Sequence, residues 1–489
     1  MRKSLPFLPL ACFIIMSGAV SSCSWGKRAL PIDFPCTALE TARQETSSNL
    51  LIDSEEWVPN EWWKLFYDEQ LTQFILTAFV KNPTLQAAQA RILLAIANAD
   101  RVRSALYPYL VGSADVSIQK LSKTGVVPFG TTSIPNAPSS EIPAYFRLYE
   151  TQLNLTYDFD IWGKNRNTLR AALGEVQANI ADEAFSRLQL GISVAQVYYQ
   201  LQIDYKLQQI AQTLVTNREA YLSLIRDRVR DSLDNALTLL TAETNLVLAR
   251  QTLLQIQGEI AVYEYQLKTF LAEDFEEAIY AINVVDQPLP IVPFPCALPL
   301  HLIAHRPDII AQLWLIGSAG RQIEVAKAGF YPDFNISALI GFQTIHFREL
   351  FKWPSVYYNI DPAISLPIFD GGRLLANLHG SEVNYDLAIF QYNSLVLNAV
   401  KEVLDGIAVL TNAELQLKQY EEALEYQTQI LQLTSLRMAH SLDSNLDYLN
   451  NEANLLNARN EEVIAFGNTL QAILSLIKAL GGGYDVCEG

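Results

Sequence analysis

Beyond its first two dozen residues, this 489-residue chain has no run of about 18 continuous apolar residues, so no helical membrane span is expected after the N-terminus. It has no Lys/Arg-rich tract to set against a formal charge of −17, which argues against a nucleic-acid partner; the acidity serves solubility instead. Cysteine is sparse. With Cys12 in the leader and Cys23 set aside, Cys36, Cys296 and Cys487 remain, without metal-ligand spacing and odd in number, so no disulfide is assigned. The five histidines show no ligand spacing either, since His301 and His305 only precede Arg306-Pro307 at a helix start. No nucleophile–base pattern and no phosphate loop appears, so neither an enzyme nor a bound metal or cofactor is expected. Half the residues are hydrophobic and 18% are charged, which fits neither a disordered chain nor a bundle of membrane helices.

The most informative absence is of proline. From Gly163 to about Asp231 there is none, and the only glycines between those ends are Gly174 and Gly191. Leu169, Leu173, Val176, Ile180, Ala184 and Leu188 recur at helical spacing, and the pattern resumes through Leu207, Leu214 and Leu224. At about 1.5 Å per residue this predicts one rod of roughly 100 Å. A second rod of nearly the same length is predicted from Gly372 to about Ser441. Rods of this size do not fit inside a compact domain.

The N-terminus reads as a targeting segment. Arg2 and Lys3 precede an apolar stretch from Leu5 to Ile15, and small residues lead to Cys23 in Val20-Ser21-Ser22-Cys23. That order resembles a bacterial lipoprotein signal cut before a lipid-bearing Cys23; an ordinary secretory signal is the alternative, and either one exports the chain. Glu61-Trp62-Trp63-Lys64-Leu65-Phe66 reads as a packing anchor for an extended arm, and Leu71 to Ala105 as helical, with Asn82-Pro83 a start or a kink.

Strict alternation follows. Ala114, Val116 and Ile118 oppose Ser113, Asp115 and Ser117; after a Gly/Pro/Ser-rich loop from about Ser122 to Pro143, Leu153, Leu155, Tyr157 and Phe159 oppose Gln152, Asn154, Thr156 and Asp158. The first rod then runs to a turn at Ser232-Leu233-Asp234-Asn235 and a second helix to about Leu271. Beyond a Pro-rich linker the plan recurs. Asn82-Pro83 matches Arg306-Pro307, and Tyr107-Pro108 matches Tyr331-Pro332, both at an offset of 224. A third strand alternates Phe334, Ile336, Ala338, Ile340 and Phe342 with Asp333, Asn335 and Ser337. A fourth alternates Ile360, Ile364, Leu366 and Ile368 with Asp361 and Ser365. From there the offset is 209 and holds through Ser232/Ser441, Leu233/Leu442, Asp234/Asp443 and Arg250/Arg459. The reading is an internal duplication of helix, hairpin, long helix and shorter helix. Its parts are a signal over 1–22, an arm over 23–70, a first repeat over 71–287, a linker over 288–300, a second repeat over 301–480 and a tail over 481–489.

Each predicted strand has one apolar face and about 10 residues, the length that crosses a bilayer when tilted. Four strands cannot close a barrel, and a bilayer tolerates no open edge, so several chains must contribute. Two would give a barrel filled by side chains; three would give twelve strands and room for a lumen.

The motifs Glu61-Trp62-Trp63-Lys64-Leu65-Phe66, Ser104-Ala105-Leu106-Tyr107-Pro108, Asp158-Phe159-Asp160-Ile161-Trp162-Gly163, His305-Arg306-Pro307-Asp308 and Leu366-Pro367-Ile368-Phe369-Asp370-Gly371-Gly372-Arg373, in this order, resemble the TolC-type outer-membrane efflux family in its NodT-like lipoprotein branch. The resemblance covers essentially the whole mature chain. It implies a mixed α and β membrane protein: a homotrimer with a twelve-stranded β-barrel in the outer membrane, continued by a long twelve-helix α-barrel in the periplasm. It also implies the exit duct of a tripartite pump, with a periplasmic adaptor and an inner-membrane transporter of the RND type as partners, and small toxic compounds as cargo. Ser24 fits sorting of the Cys23-anchored chain to the outer membrane.

A duct needs a lumen and a gate. The rod-to-helix turns, Arg226 to Asn235 and Arg437 to Asp447, are expected at the periplasmic tips, where threefold symmetry turns lumen-facing aspartates into rings of negative charge. The gate candidates are Asp227, Asp231, Asp234, Asp443 and Asp447, with Arg226, Arg228, Arg230 and Arg437 as partners. Asp234 and Asp443 also stand where N-caps of the following helices are expected. Ser232, Leu233, Ser441 and Leu442 are the adaptor-contact candidates; the serines replace the family's turn glycine, and a left-handed conformation costs serine more. Trp162, Gly163, Gly371 and Gly372 are expected at the strand-to-rod junction, and Tyr198, Tyr199 and Tyr205 as packing between helices. Rival readings are a type I protein-secretion duct, a metal-ion duct and a coiled-coil lipoprotein without a pore. Three methionines, two of them in the leader, weigh against a soft-metal chain. The four alternating strands weigh against the structural rod.

Overall fold

The structure is a computed structural model that describes residues 52–53, 57–120, 145–276, 282, 288–293 and 305–484. Cys23, Cys36, Cys296, Cys487, the leader and the whole Ser122–Pro143 loop lie outside the described residues. Among the described residues no helix is long and apolar enough to cross a membrane.

Asp68 caps α1 (Glu69–Lys81) by accepting from the Leu71 amide at 3.0 Å. Asn82 ends that helix and caps α2 (Pro83–Arg103), accepting from Thr84 N at 2.9 Å with Pro83 in the first turn. Asn82-Pro83 is thus both a stop and a start. The two rods are α3 (Lys164–Arg230) and α6 (Arg373–Ala439), each of 67 residues. They turn back into α4 (Ala236–Leu271) and α7 (Asn445–Ala479). Among the described residues the remaining α-helix, α5 (Pro307–Ala328), precedes the second hairpin as α2 precedes the first.

The rod α3 packs along its length against α2 and α5 in its first half and α4 and α7 in its second. Small residues permit the closest approaches: Ala171, Ala172 and Ala181 are buried, and a Cβ at Gly174 would stand 3.4 Å from Ser318 of α5. The largest core lies midway down. There Trp62, Trp63 and Phe66 of the arm bury themselves against α1 and the Tyr198–Tyr199 pair of α3, as the sequence suggests. Tyr198 donates its hydroxyl to Asp68 at 2.9 Å and Tyr205 to Glu264 at 2.6 Å, so these tyrosines hold helices together. Each Leu or Ile fully buried here contributes about 2 kcal/mol. Alongside, β1 (Ile52–Asp53) pairs in parallel with β4 (Val292–Pro293), tying the arm to the linker.

The sheet has four antiparallel strands in the order β2 (Tyr109–Lys120), β3 (Tyr145–Phe159), β5 (Asp333–Thr344) and β6 (Val356–Ser365). Its register aligns the alternation on all four. Leu110, Leu155, Ala338 and Ile360 lie in one row, and Gly112, Leu153, Ile340 and Tyr358 in the next on the same face. The opposite face carries Ser113, Gln152, Gly341 and Tyr357, and Asp115, Glu150 and Gln343. Ile340, Ile360 and Ile364 on the apolar face are exposed in the single chain. The fourth strand is shorter than the sequence suggests: it ends at Ser365, and Leu366 and Ile368 are not part of it. Its partner β5 runs out at Asp333↔Ser365, and Pro367 has no amide to extend the ladder.

Candidate functional site

Both rods start from a backbone conformation that only glycine adopts without strain. Gly163 precedes α3 at φ 75°, and Gly371 and Gly372 precede α6 at 66° and 90°. Glycine cannot cap, so a nearby aspartate does. Asp160 accepts from the amides of Asn165 and Arg166, both at 2.9 Å, and Asp370 from those of Leu374 and Gly372 at 2.8 and 3.0 Å. Trp162 stacks on Tyr331 at 4.6 Å and donates Nε1–H to the Pro332 carbonyl at 2.8 Å, clamping the two hairpins together where they leave the sheet.

At the other end each rod stops in a left-handed serine. Ser232 lies at φ 61° and Ser441 at φ 60°. The Leu233 amide reaches the Arg228 carbonyl at 2.8 Å and the Ser232 amide that of Val229 at 3.0 Å; Leu442 to Arg437 and Ser441 to Met438 repeat the pattern at 2.9 Å each. This is the Schellman closure with serine where glycine is usual, at a strain of about 1 kcal/mol per turn. Leu233 and Leu442 project from it, each about two-thirds exposed.

The arginine that gives its carbonyl to this closure also binds the aspartate beyond it. Arg228 donates Nε–H to Asp234 at 2.6 Å; Arg437 grips Asp443 through Nε and a terminal nitrogen at 2.8 and 2.9 Å. Arg230 pairs with Asp227 at 3.0 Å and lies 3.6 Å from Asp231, while Arg226 turns to Glu243 on α4 at 3.0 Å rather than to an aspartate. The five aspartates and four arginines proposed for the gate thus all fall at the two tips, and the four arginines find carboxylates within their own chain. The hydrogen bond from Arg437 holds the Asp443 carboxyl below the usual carboxylate range, and that from Ser444 does the same for Asp447.

The capping role expected of Asp234 and Asp443 is corrected: Asn235 and Ser444 are the N-caps. The serine turn brings the chain round one residue later than a bare N-cap motif implies, leaving each aspartate facing back to its arginine. Asp447 closes a capping box with Ser444, accepting its amide at 2.9 Å.

Two functional-looking groups escape a local reading of the sequence. Arg306, nearly fully buried, holds Asp308 with two nitrogens at 2.7 and 3.1 Å, Glu402 of α6 at 2.7 Å and the Ala479 carbonyl that ends α7 at 3.0 Å. Asp204 is only 2% exposed in the middle of α3. It accepts from Gln200 at 2.9 Å through Oδ1, and Oδ2 has no hydrogen-bond partner among the described residues. Burial pushes its carboxyl up to about 6; the Gln200 bond opposes the rise and Glu259 on α4 adds to it. Among the described residues no group of three or more His, Cys, Asp or Glu side chains is placed to hold a metal ion.

Asp204 sets a pH dependence. Its folded pKa lies above the ordinary value of 3.8, so its contribution is intact below that value and is lost as pH rises through about 6. Asp204→Asn is expected to raise stability at pH 8 by up to about 3 kcal/mol, and the gain should vanish near pH 4. Thermal unfolding of both forms across that range checks it; a gain that does not change with pH contradicts the assignment.

Comparison with known proteins places this geometry. A family model described as "Outer membrane efflux protein" matches residues 75–273 and 298–482. The multidrug resistance outer membrane protein MdtQ of Escherichia coli O6:H1 is 28% identical over 488 residues, covering 99% of this chain and all of that one. Among solved structures, the outer membrane protein VceC of Vibrio cholerae superposes with a TM-score of 0.75 at 29% identity over 88% of this chain and all of its own. The CmeC outer membrane channel of Campylobacter jejuni gives 0.78 at 23% identity, over 88% of this chain and 90% of its own.

Proposed function

Because this chain belongs to the outer membrane efflux protein family, we propose that three copies form the outer-membrane exit duct of a tripartite pump and passively conduct small toxic compounds outward. The observation that carries the reading is the sheet. It is apolar on one face and polar on the other, with β2 and β6 as its edges. Because β2 and β6 run in opposite directions, the β6 of one copy meets the β2 of the next antiparallel, and the pattern closes without an edge. Three copies make twelve strands, apolar toward lipid and polar toward a water-filled axis.

The helices support the same assembly. Leu240, Val247 and Leu254 on α4 are exposed in the single chain and recur every seven residues, the seam by which one rod packs on another. Two rods and two return helices per copy give a twelve-helix tube, built from an internal duplication with the repeats at 71–287 and 301–480. Cys23 carries the lipid anchor. The tips form the periplasmic mouth, with the arginine–aspartate pairs holding it narrow and Leu233 and Leu442 presented to an adaptor that leads to an RND-type transporter. The strained serines keep those leucines projecting.

The test is the oligomer mass of the purified protein together with single-channel conductance in a planar bilayer. A trimer with discrete pores is expected. A monomer, or a trimer that stays silent even after the tip pairs are removed, would refute the duct.

A further inference from the structure

At the end of the sheet away from the rods, the register leaves an opening. The last β3–β5 pair is Tyr149↔Thr344, yet β3 begins four residues earlier, at Tyr145. From Ile345 the chain leaves the sheet, and an open cleft of about 620 Å³ remains between the two segments. It lies between the two inner strands, so one chain completes it. Arg147 and Arg348 both line it. Arg147 stands in the row of Ile118, on the apolar face, where an unanswered charge is costly away from the interface. Lys120, in the next row of that face, sits over the Tyr145 ring at 5.1 Å. Among the described residues the one carboxylate lining the cleft, Glu349, is 3.2 Å from Lys352. Among the described residues neither Arg147 nor Arg348 has a carboxylate within ion-pair distance. Phe347, which lines the cleft 5.3 Å from Tyr149, is exposed, and so are Phe351 and Trp353 in the same β5–β6 connection: an aromatic collar of the kind that marks a membrane–water boundary.

Given the orientation under Proposed function, on which this inference rests, the collar lies in the outer leaflet. We propose that the cleft binds a phosphorylated glycolipid of that leaflet, with Arg147 and Arg348 converging on a phosphate group, Lys120 beside them, and the aromatic collar packing on the sugar–acyl boundary. The argument is charge complementarity. A chain of formal charge −17 concentrates cations at the rim of its lipid-facing sheet and, among the described residues, leaves two guanidinium groups there without an anion. A zwitterionic headgroup, which brings its own cation, does not supply that.

The test uses the full-length protein in phosphatidylethanolamine nanodiscs, titrated with bisphosphorylated lipid A or with the same lipid stripped of its phosphates, and read by native mass spectrometry. The wild type should retain the bisphosphorylated form about tenfold more than the R147Q/R348Q variant does, at unchanged trimer mass and conductance. Equal retention by both proteins, with pores intact, overturns the lipid site and leaves the duct standing. So does equal retention of the dephosphorylated lipid or of phosphatidylglycerol, or displacement by millimolar inorganic phosphate. A wild type that is monomeric and silent overturns the duct, and the lipid site falls with it.

Discussion

Arg306→Leu should be the most damaging single substitution in the helical region, costing about 3 kcal/mol and lowering the melting temperature by several degrees. The side chain is only 4% exposed and joins three helices: the start of α5, the middle of α6 and the end of α7. Removing it strands Asp308, which is 11% exposed, and frees the Ala479 carbonyl, while the more exposed Glu402 returns to water. That asymmetry makes a second measurement decisive. Arg306→Leu combined with Asp308→Asn should be less harmful than Arg306→Leu alone, since the orphaned charge is gone. Melting of the four proteins of this cycle is the check; purely additive losses would show that the pair is incidental to stability.

The largest functional effect is expected at the tips. The variant with both Arg228→Ala and Arg437→Ala should conduct severalfold better than the wild type while keeping its oligomer mass. Each arginine spans from the last turn of a rod to the aspartate six residues on, and so draws the turn closed. The helix starts beyond are independently capped by Asn235 and Ser444 and should survive. Because Asp443 is held below its ordinary range, the pairing persists above that range and is lost only as pH falls well through it. Acidification from pH 7 to 5 should therefore leave conductance nearly unchanged, unlike the arginine substitutions. Single-channel recording checks both statements. Unaltered conductance in the double variant would mean the pairs shape the turn without narrowing the mouth.

The long-range plan was legible because it depends on repeated local signals. Two proline-free stretches of helical periodicity become two helices of 67 residues, and four alternating segments become one sheet whose register keeps every apolar row aligned. The tips were legible as places and less so as geometry. Asp234 reads as a cap from its position alone, and only the left-handed serine before it explains why the cap falls on Asn235. Groups that act across the fold left little trace. Asp204 sits in a Gln-Leu-Gln-Ile-Asp run with no local mark that sets it apart, and it is the packing of α3 that seals it from water. Arg306 looks like one more polar residue before a proline, and its partners lie 96 and 173 positions further along the chain. The cleft beside Arg147 depends on where two strands stop pairing, which alternation alone does not set.

The equal length of α3 and α6 ties two distant stretches of the gene to one another. A heptad inserted in either alone would advance one kind of tip by about 10 Å past the other. In the proposed trimer the mouth would then carry three long and three short prongs in alternation, and a flat-ended neighbour docking on it would touch only half of them. Viable insertions and deletions should therefore come as mirrored pairs, one in each half of the chain.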